Sequence, residues 1–95
     1  RDGYTKEIAR RRILQWRRMG INVSSAEPAL FQESDDDGFQ IYQAVERQVR
    51  RAVELDHRLD LLLEKGHRSE VIKMRFRVRQ LTGLDEIESR IDELI

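Results

Sequence analysis

The sequence contains no cysteine, which excludes disulfide bonds, thiolate metal sites and cysteine nucleophiles. No apolar run approaches the ~18 residues that a membrane-spanning helix requires, and no N-terminal signal-peptide pattern is visible. Proline occurs once and glycine five times, so few residues interrupt regular structure. These absences predict a chain with no membrane segment and no disulfide-stabilised core.

Charged residues make up 38% of the chain and hydrophobic residues 39%, a balance that favours long solvated helices over a β-sandwich. A chain of 95 residues suits one small domain. We therefore predict an all-α fold, either a small antiparallel helical bundle or an extended helical hairpin of four to five helices. Residues 1–95 are expected to form a single helical domain, with an acidic loop at residues 33–38 as a candidate sub-boundary.

The first helix is expected from about Tyr4 to Met19. Gly20 follows it, at a position where a left-handed backbone favours a residue without a Cβ atom. Trp16 is in register with the other apolar residues of this helix, so we expect it in the core. The predicted apolar stripe consists of Tyr4, Ile8, Ala9, Ile13 and Trp16.

Two segments match the capping box, in which a side chain and a glutamate three residues later satisfy each other's backbone N–H groups. Ser24–Glu27 predicts the start of a short helix over residues 25–32, and Asp85–Glu88 predicts the start of the last helix. The longest helix is expected between them, over residues 39–65. Apolar residues repeat along the last helix at Leu84, Ile87, Ile91 and Leu94.

Residues 72–81, IKMRFRVRQL, fit two patterns. Apolar and basic residues alternate as in a half-buried strand, while steps of three and four give the helical stripe Val71, Met74, Val78 and Leu81. A strand needs a pairing partner, and no other segment alternates over a comparable length. The stretch also lies between two glycine stops, Gly66 and Gly83, so the sequence predicts a helix.

The 18 basic and 18 acidic residues cancel in total, but they are unevenly distributed along the chain. Residues 1–20 carry a net charge of +5 and residues 27–37 one of −5, while residues 65–79 carry +5 and residues 80–95 carry −4. One interpretation is that these segments neutralise each other within the fold or across an oligomer. The other is that the basic helix surfaces contact nucleic-acid phosphates.

No pattern indicates catalysis, a cofactor or a metal site. Glu54 and His57 have the spacing of a di-iron ligand pair, but neither a second such pair nor the additional carboxylates are present. Asp35–Gly38 resembles the start of a calcium loop, yet Ala44 stands where an EF-hand requires glutamate. There is no glycine-rich phosphate loop and no nucleophile-plus-base spacing, so we predict a non-enzymatic protein without a small-molecule substrate.

The longest predicted helix would extend ~40 Å at 1.5 Å per residue, which is long for a domain of this size. We therefore predict a protein–protein interaction or oligomerisation module, part of a larger protein or complex. It is expected to bind a protein partner or to form a homodimer through the coiled-coil-like stripe of this helix. Asp56 interrupts the stripe and requires a neighbouring cation or water. The predicted interface residues are Tyr42, Val45, Val49, Ala52, Leu59 and Leu63. The alternative is a nucleic-acid-binding accessory domain that uses Arg10, Arg11, Arg17, Arg18, Lys73, Arg75, Arg77 and Arg79.

The segment Trp16–Ser24, WRRMGINVS, resembles amphipathic helix-turn segments that recur in archaeal helical proteins. In these segments a helix ends in Trp and Gly and is followed by an apolar residue, Asp or Asn, Val and Ser. The resemblance covers about residues 10–32. It implies a cytoplasmic helical module within a larger archaeal protein or complex, and it implies no catalytic residue.

Overall fold

The computed structural model of the protein describes residues 3–95, and across this range the chain is helical with no β-strand. The predicted all-α fold is therefore confirmed. The elements are α1 (Lys6–Arg18), a 3-10 helix (Ser24–Phe31), α2 (Asp35–Glu64), α3 (Arg68–Arg79) and α4 (Leu84–Leu94).

The chain divides into two compact units, with the division between Val49 and Arg50 and thus inside α2. The N-terminal unit contains α1, the 3-10 helix and residues 35–49 of α2. The C-terminal unit contains residues 50–64 of α2 together with α3 and α4.

In the N-terminal unit, α1 begins where the Thr5 hydroxyl accepts a hydrogen bond from the Ile8 backbone N–H, at 3.2 Å. It ends as predicted before Gly20, whose φ of 85° is left-handed. The Ile21 N–H then donates to the Trp16 carbonyl at 3.1 Å, which closes the last turn. One stripe residue was predicted wrongly, because the side chain of Ile8 is 40% exposed.

The first predicted capping box is wrong. Residues 24–31 form a 3-10 helix with no side-chain cap. The Ser24 N–H instead donates to Oδ1 of Asn22 at 3.1 Å, and the Glu27 carboxylate pairs with Arg17 on α1. The Ser24 N–H and the Glu27 carboxylate, which would bond to each other in the expected capping box, therefore have other partners.

The acidic loop predicted at residues 33–38 is also wrong from Asp35 onwards, because α2 already begins at that residue. The Ser34 hydroxyl accepts a hydrogen bond from the Asp36 N–H at 3.2 Å. Asp35, Asp36 and Asp37 therefore occupy the first turn of α2, where negative charge interacts favourably with the helix dipole.

The interior of the N-terminal unit is built around aromatic rings. Trp16 stacks on Tyr42 with ring centroids 5.6 Å apart, and Tyr4 contacts Tyr42 at 5.5 Å and Phe39 at 5.2 Å. The prediction that Trp16 lies in the core is confirmed, since only 3% of it is exposed. Smaller residues complete this interior: Ala9, Ile13, Ile21, Val23, Ala26, Ala29, Val45 and Val49.

The interior of the C-terminal unit is aliphatic. Its helix α3 covers most of the ambiguous segment and confirms the helical interpretation, although Gln80 and Leu81 lie beyond its end. The second predicted capping box is wrong: the residue before α4 is Gly83, in a left-handed conformation and without a side-chain cap. The core consists of Ala52, Leu55, Leu59, Leu62, Val71, Met74, Val78, Leu84, Ile87 and Ile91.

Arginine–carboxylate pairs bridge all three helix pairs of the C-terminal unit. Between α2 and α4, Arg51 contacts Asp85 at 2.5 Å and Glu88 at 3.5 Å, so both carboxylates of the expected capping box pair with another helix. Between α3 and α4, Arg90 binds both carboxylate oxygens of Glu70, at 3.0 and 2.8 Å. The remaining bridges between helices are Arg58–Asp92, Arg75–Asp56, Arg75–Asp60 and Arg77–Glu86.

Candidate interaction groove

The candidate site is a groove of about 370 Å³ on the surface of the C-terminal unit. Its apolar lining comes from Leu63 in the last turn of α2 and from Ile72 and Phe76 on α3, beside the buried Val71. Ile72 is 60% exposed, Phe76 67% and Leu63 40%. Large apolar side chains gathered in one exposed depression are typical of binding surfaces.

The groove explains the strand-like alternation of the sequence. Met74 and Val78, one helical turn apart, are buried in the core. Ile72 and Phe76 are also one turn apart, but successive residues rotate by about 100° around the axis, so this second pair lies on a different face. Helix α3 thus carries two apolar stripes, and the second is exposed to solvent.

Three arginines, Arg68, Arg75 and Arg79, also line the groove. The Arg75 guanidinium donates from Nε to Asp56 at 2.7 Å and from Nη2 to Asp60 at 2.5 Å. Burial lowers the pKa of Arg75 and the two carboxylates raise it, with a net upward shift. Arg68 and Arg79 form no ion pair with any carboxylate of residues 3–95, so their charges are available to a bound molecule.

Five of the six predicted interface residues lie in the protein's own interior. Tyr42, Val45 and Val49 are buried in the N-terminal unit, and Ala52 and Leu59 in the C-terminal unit. Their side chains are therefore not available to a partner in this conformation. Only Leu63 is exposed, and it lines the groove. The cation that Asp56 requires is supplied by Arg75 of the same chain.

Most of the cations predicted to contact nucleic acid are engaged by carboxylates within the chain. The pairs are Arg10–Glu7, Arg11–Glu7, Arg17–Glu27, Arg75–Asp56, Arg75–Asp60 and Arg77–Glu86. Lys73 is close enough to Glu70 to contribute to its lowered pKa, after the larger effect of the Arg90 hydrogen bond. Arg18 and Arg79 form no ion pair within the described part of the chain.

A second groove of about 370 Å³ lies on the N-terminal unit, beside the exposed Leu14 and Phe31. Its two arginines differ from those of the first groove, because Arg10 contacts Glu7 at 3.3 Å and Arg17 pairs with Glu27. This groove therefore offers no uncompensated cation. We take the groove on α3 as the candidate site for that reason.

Sequence reasoning missed the groove because it placed the interface on the longest helix and considered only one apolar stripe on α3. The available signal was the pair Ile72 and Phe76, which does not fit the stripe of Val71, Met74 and Val78 and is nonetheless apolar. Within residues 3–95, no three His, Asp or Glu side chains are grouped as metal ligands, and none of the helices has the length and apolarity to cross a bilayer. In comparisons with known proteins, no family model, curated protein or solved structure matches the chain.

Proposed function

We propose that the chain is a non-catalytic protein-interaction module that binds an apolar segment of a partner in the α3 groove. The observation that carries the proposal is the exposure of Leu63, Ile72 and Phe76 in one depression. Covering Phe76 and its neighbours would remove apolar surface from water, at ~25 cal/mol per Å² before the costs of association.

The charges around the groove define the chemistry of the partner. Arg68 and Arg79 carry uncompensated charge beside apolar side chains, so a partner with carboxylates next to its apolar residues would be complementary. Arg75 is held in place by Asp56 and Asp60, which gives the groove a preorganised wall. A basic segment would be repelled and would leave the two arginines without partners.

The alternative function, nucleic-acid binding, has less support from the described residues. Binding phosphate through Arg10, Arg17 or Arg77 would require each to leave its carboxylate. The apolar lining of the groove also contributes nothing to a contact with a sugar–phosphate backbone. We therefore favour the protein partner and treat nucleic acid as an outcome of the test.

The test is selection of a randomised peptide library on the wild-type chain, after depletion on a chain with Ile72→Ser and Phe76→Ser. Both side chains are exposed, so the double variant should fold and should keep its helical circular dichroism. We expect enrichment of peptides that combine aromatic or aliphatic residues with Asp and Glu. In fluorescence anisotropy these peptides should bind the double variant at least about tenfold more weakly, since truncated central anchors typically dominate binding.

A matched control is Leu61→Ser, which removes an exposed leucine of α2 that does not line the groove and should leave binding unchanged. Enriched peptides that bind the double variant as well as the wild type would overturn the proposal. So would salt-sensitive binding of an oligonucleotide that Arg79→Glu abolishes and Phe76→Ser leaves intact, because that pattern belongs to a phosphate-binding surface.

A further inference from the structure

The segment from Phe31 to Asp37 carries an exposed apolar side chain followed by carboxylates. These are the two features that make a partner complementary to the α3 groove. Phe31 ends the 3-10 helix with 80% of its side chain exposed, the largest exposure of any large hydrophobic residue in the described chain. Four exposed acidic residues follow it within six positions, and none of them forms an ion pair with a cation of residues 3–95. They are Glu33, Asp35, Asp36 and Asp37.

This segment has a defined conformation in the described chain. Gln32 is extended, with φ −75° and ψ 140°, and its side-chain amide donates to the Pro28 carbonyl at 3.3 Å. Ser34 caps the first turn of α2 through the Asp36 N–H. Phe31 and the three aspartates are thus presented by helix ends, and ordering them on binding costs less than ordering a flexible tail.

We propose that the occupant of the α3 groove is the Phe31–Asp37 segment of a second copy of this chain. The inference rests on the proposed function of the groove and names its partner. Phe31 would enter beside Ile72 and Phe76, and the aspartates would lie near Arg68 and Arg79. The opposite charges of these two surfaces, each uncompensated in its own unit, are the observation that selects a second copy.

Each chain carries one α3 groove and one acidic segment, so each copy can supply both halves of the contact to other copies. The surfaces are small, which places the contact among weak and transient interfaces rather than obligate ones. Exposed ion pairs add little affinity but determine which surfaces meet. Association should therefore depend on concentration in the micromolar range and should weaken as salt is raised.

The experiment is sedimentation equilibrium of the full chain over a wide concentration range, with two charge-reversed forms. One form carries Arg68→Glu and Arg79→Glu, and the other carries Asp36→Lys and Asp37→Lys. Every altered side chain is exposed, so each form should retain wild-type helical circular dichroism. Each form alone should lose at least about tenfold in its association constant, because the first form sets a glutamate groove against its own acidic segment and the second sets the arginine groove against a segment without net charge.

An equimolar mixture of the two forms should restore association, since the unchanged segment of the first form then meets the unchanged groove of the second, and the new glutamates of the first groove face the new lysines of the other segment. Phe31→Ser should weaken association by a similar factor, whereas Arg18→Glu, an exposed control, should not. A wild-type chain that stays monomeric at high micromolar concentration would overturn the inference, as would association that neither charge reversal weakens. If library peptides still bind the groove of a monomeric chain, the proposed function stands and only the identity of the partner is wrong.

Discussion

The interior of the N-terminal unit contains the rings of Tyr4, Trp16 and Tyr42, whereas the core of the C-terminal unit contains no aromatic residue. Phe76 is the only aromatic residue among residues 50–95, and it is exposed. The aliphatic core of this unit therefore excludes the one phenyl, indole or phenol ring available to it. The comparison therefore supports Phe76 as a binding residue rather than a misplaced core residue.

The two units also use polar groups differently. In the N-terminal unit, burial raises the pKa of Tyr42, with smaller contributions that include a lowering by Arg12 and a raising by Glu46. Tyr4 Oη and Arg12 Nε are buried there without a hydrogen-bond partner among the described residues. In the C-terminal unit the arginine bridges lie at the surface, outside a wholly aliphatic core. We therefore expect the stability of the first unit to depend on a few large side chains and that of the second on many smaller ones.

The largest expected effect is that of Trp16→Ala. Trp16 is buried, stacks on Tyr42 and lies 5.4 Å from the Arg12 guanidinium carbon. Its removal should lower the free energy of unfolding by ~3–5 kcal/mol, a large fraction of the stability of a domain this small. Urea unfolding followed by far-UV circular dichroism measures the change, since the variant has no tryptophan fluorescence.

The matched substitution in the other unit is Leu59→Ala, at a fully buried position of the aliphatic core. It should lower the free energy of unfolding by about 3 kcal/mol. The loss is limited because neighbouring aliphatic side chains can partly fill the cavity. If Leu59→Ala lowers the free energy of unfolding more than Trp16→Ala does, the first unit does not depend on fewer and larger side chains than the second.

A smaller effect is expected from Gly38→Ala. Gly38 is buried in the first turns of α2, and an added Cβ would lie 2.8 Å from the Ala29 carbonyl oxygen and 3.2 Å from Tyr4 Oη. Alanine favours a helix by about 1 kcal/mol over glycine, but overpacking against a backbone atom costs ~1–3 kcal/mol. The variant should therefore be less stable by about 1 kcal/mol in urea unfolding.

Gln40→Ala, on the exposed surface of the same helix, is the control for Gly38→Ala and should change stability by less than ~0.5 kcal/mol. A Gly38→Ala chain as stable as the wild type would mean that the 3-10 helix can move away from α2 at little cost.

Sequence periodicity predicted the helices well because apolar stripes and glycine stops are local signals. The stop at Gly20 and the buried stripe of α3 follow from spacing alone. The capping boxes at Ser24 and Asp85 failed because the motif describes one helix end, while Arg17 and Arg51 from other helices took the carboxylates of Glu27, Asp85 and Glu88. Such contacts depend on tertiary placement, which a single sequence does not specify.

The candidate site was predictable only in part, for the same reason. Residues 27–37 and 65–79 carry opposite net charges, and this pattern in the sequence already indicates complementary surfaces. Which cations remain free was not predictable, because Arg75 and Arg79 lie one turn apart on α3 and only Arg75 meets carboxylates, those of Asp56 and Asp60 on α2. Spacing likewise could not decide that Leu62 is buried and Leu63 exposed.

The smallest expected effect concerns the exposed bridge between Glu70 and Arg90. The hydrogen bond from Arg90 lowers the pKa of Glu70 below its ordinary value of 4.5, against a smaller upward effect of desolvation. The folded state therefore favours the charged carboxylate more than the unfolded state does. The contribution of the Glu70–Arg90 bridge to stability is present above pH 4.5. It is lost as the pH falls through the lower pKa that Glu70 has in the folded state.

Glu70→Gln removes this contribution and should unfold at a slightly lower urea concentration than the wild type at pH 7. The two midpoints should converge as the pH is lowered through the folded-state pKa of Glu70, because the wild-type carboxyl is then protonated in both states. Glu54→Gln, at an exposed glutamate outside the described ion pairs, is the control and should leave the urea midpoint at pH 7 unchanged. A Glu70→Gln midpoint that stays equally far below the wild type at pH 3 and pH 7 would show that Glu70 stabilises α3 and α4 through packing rather than through its charge.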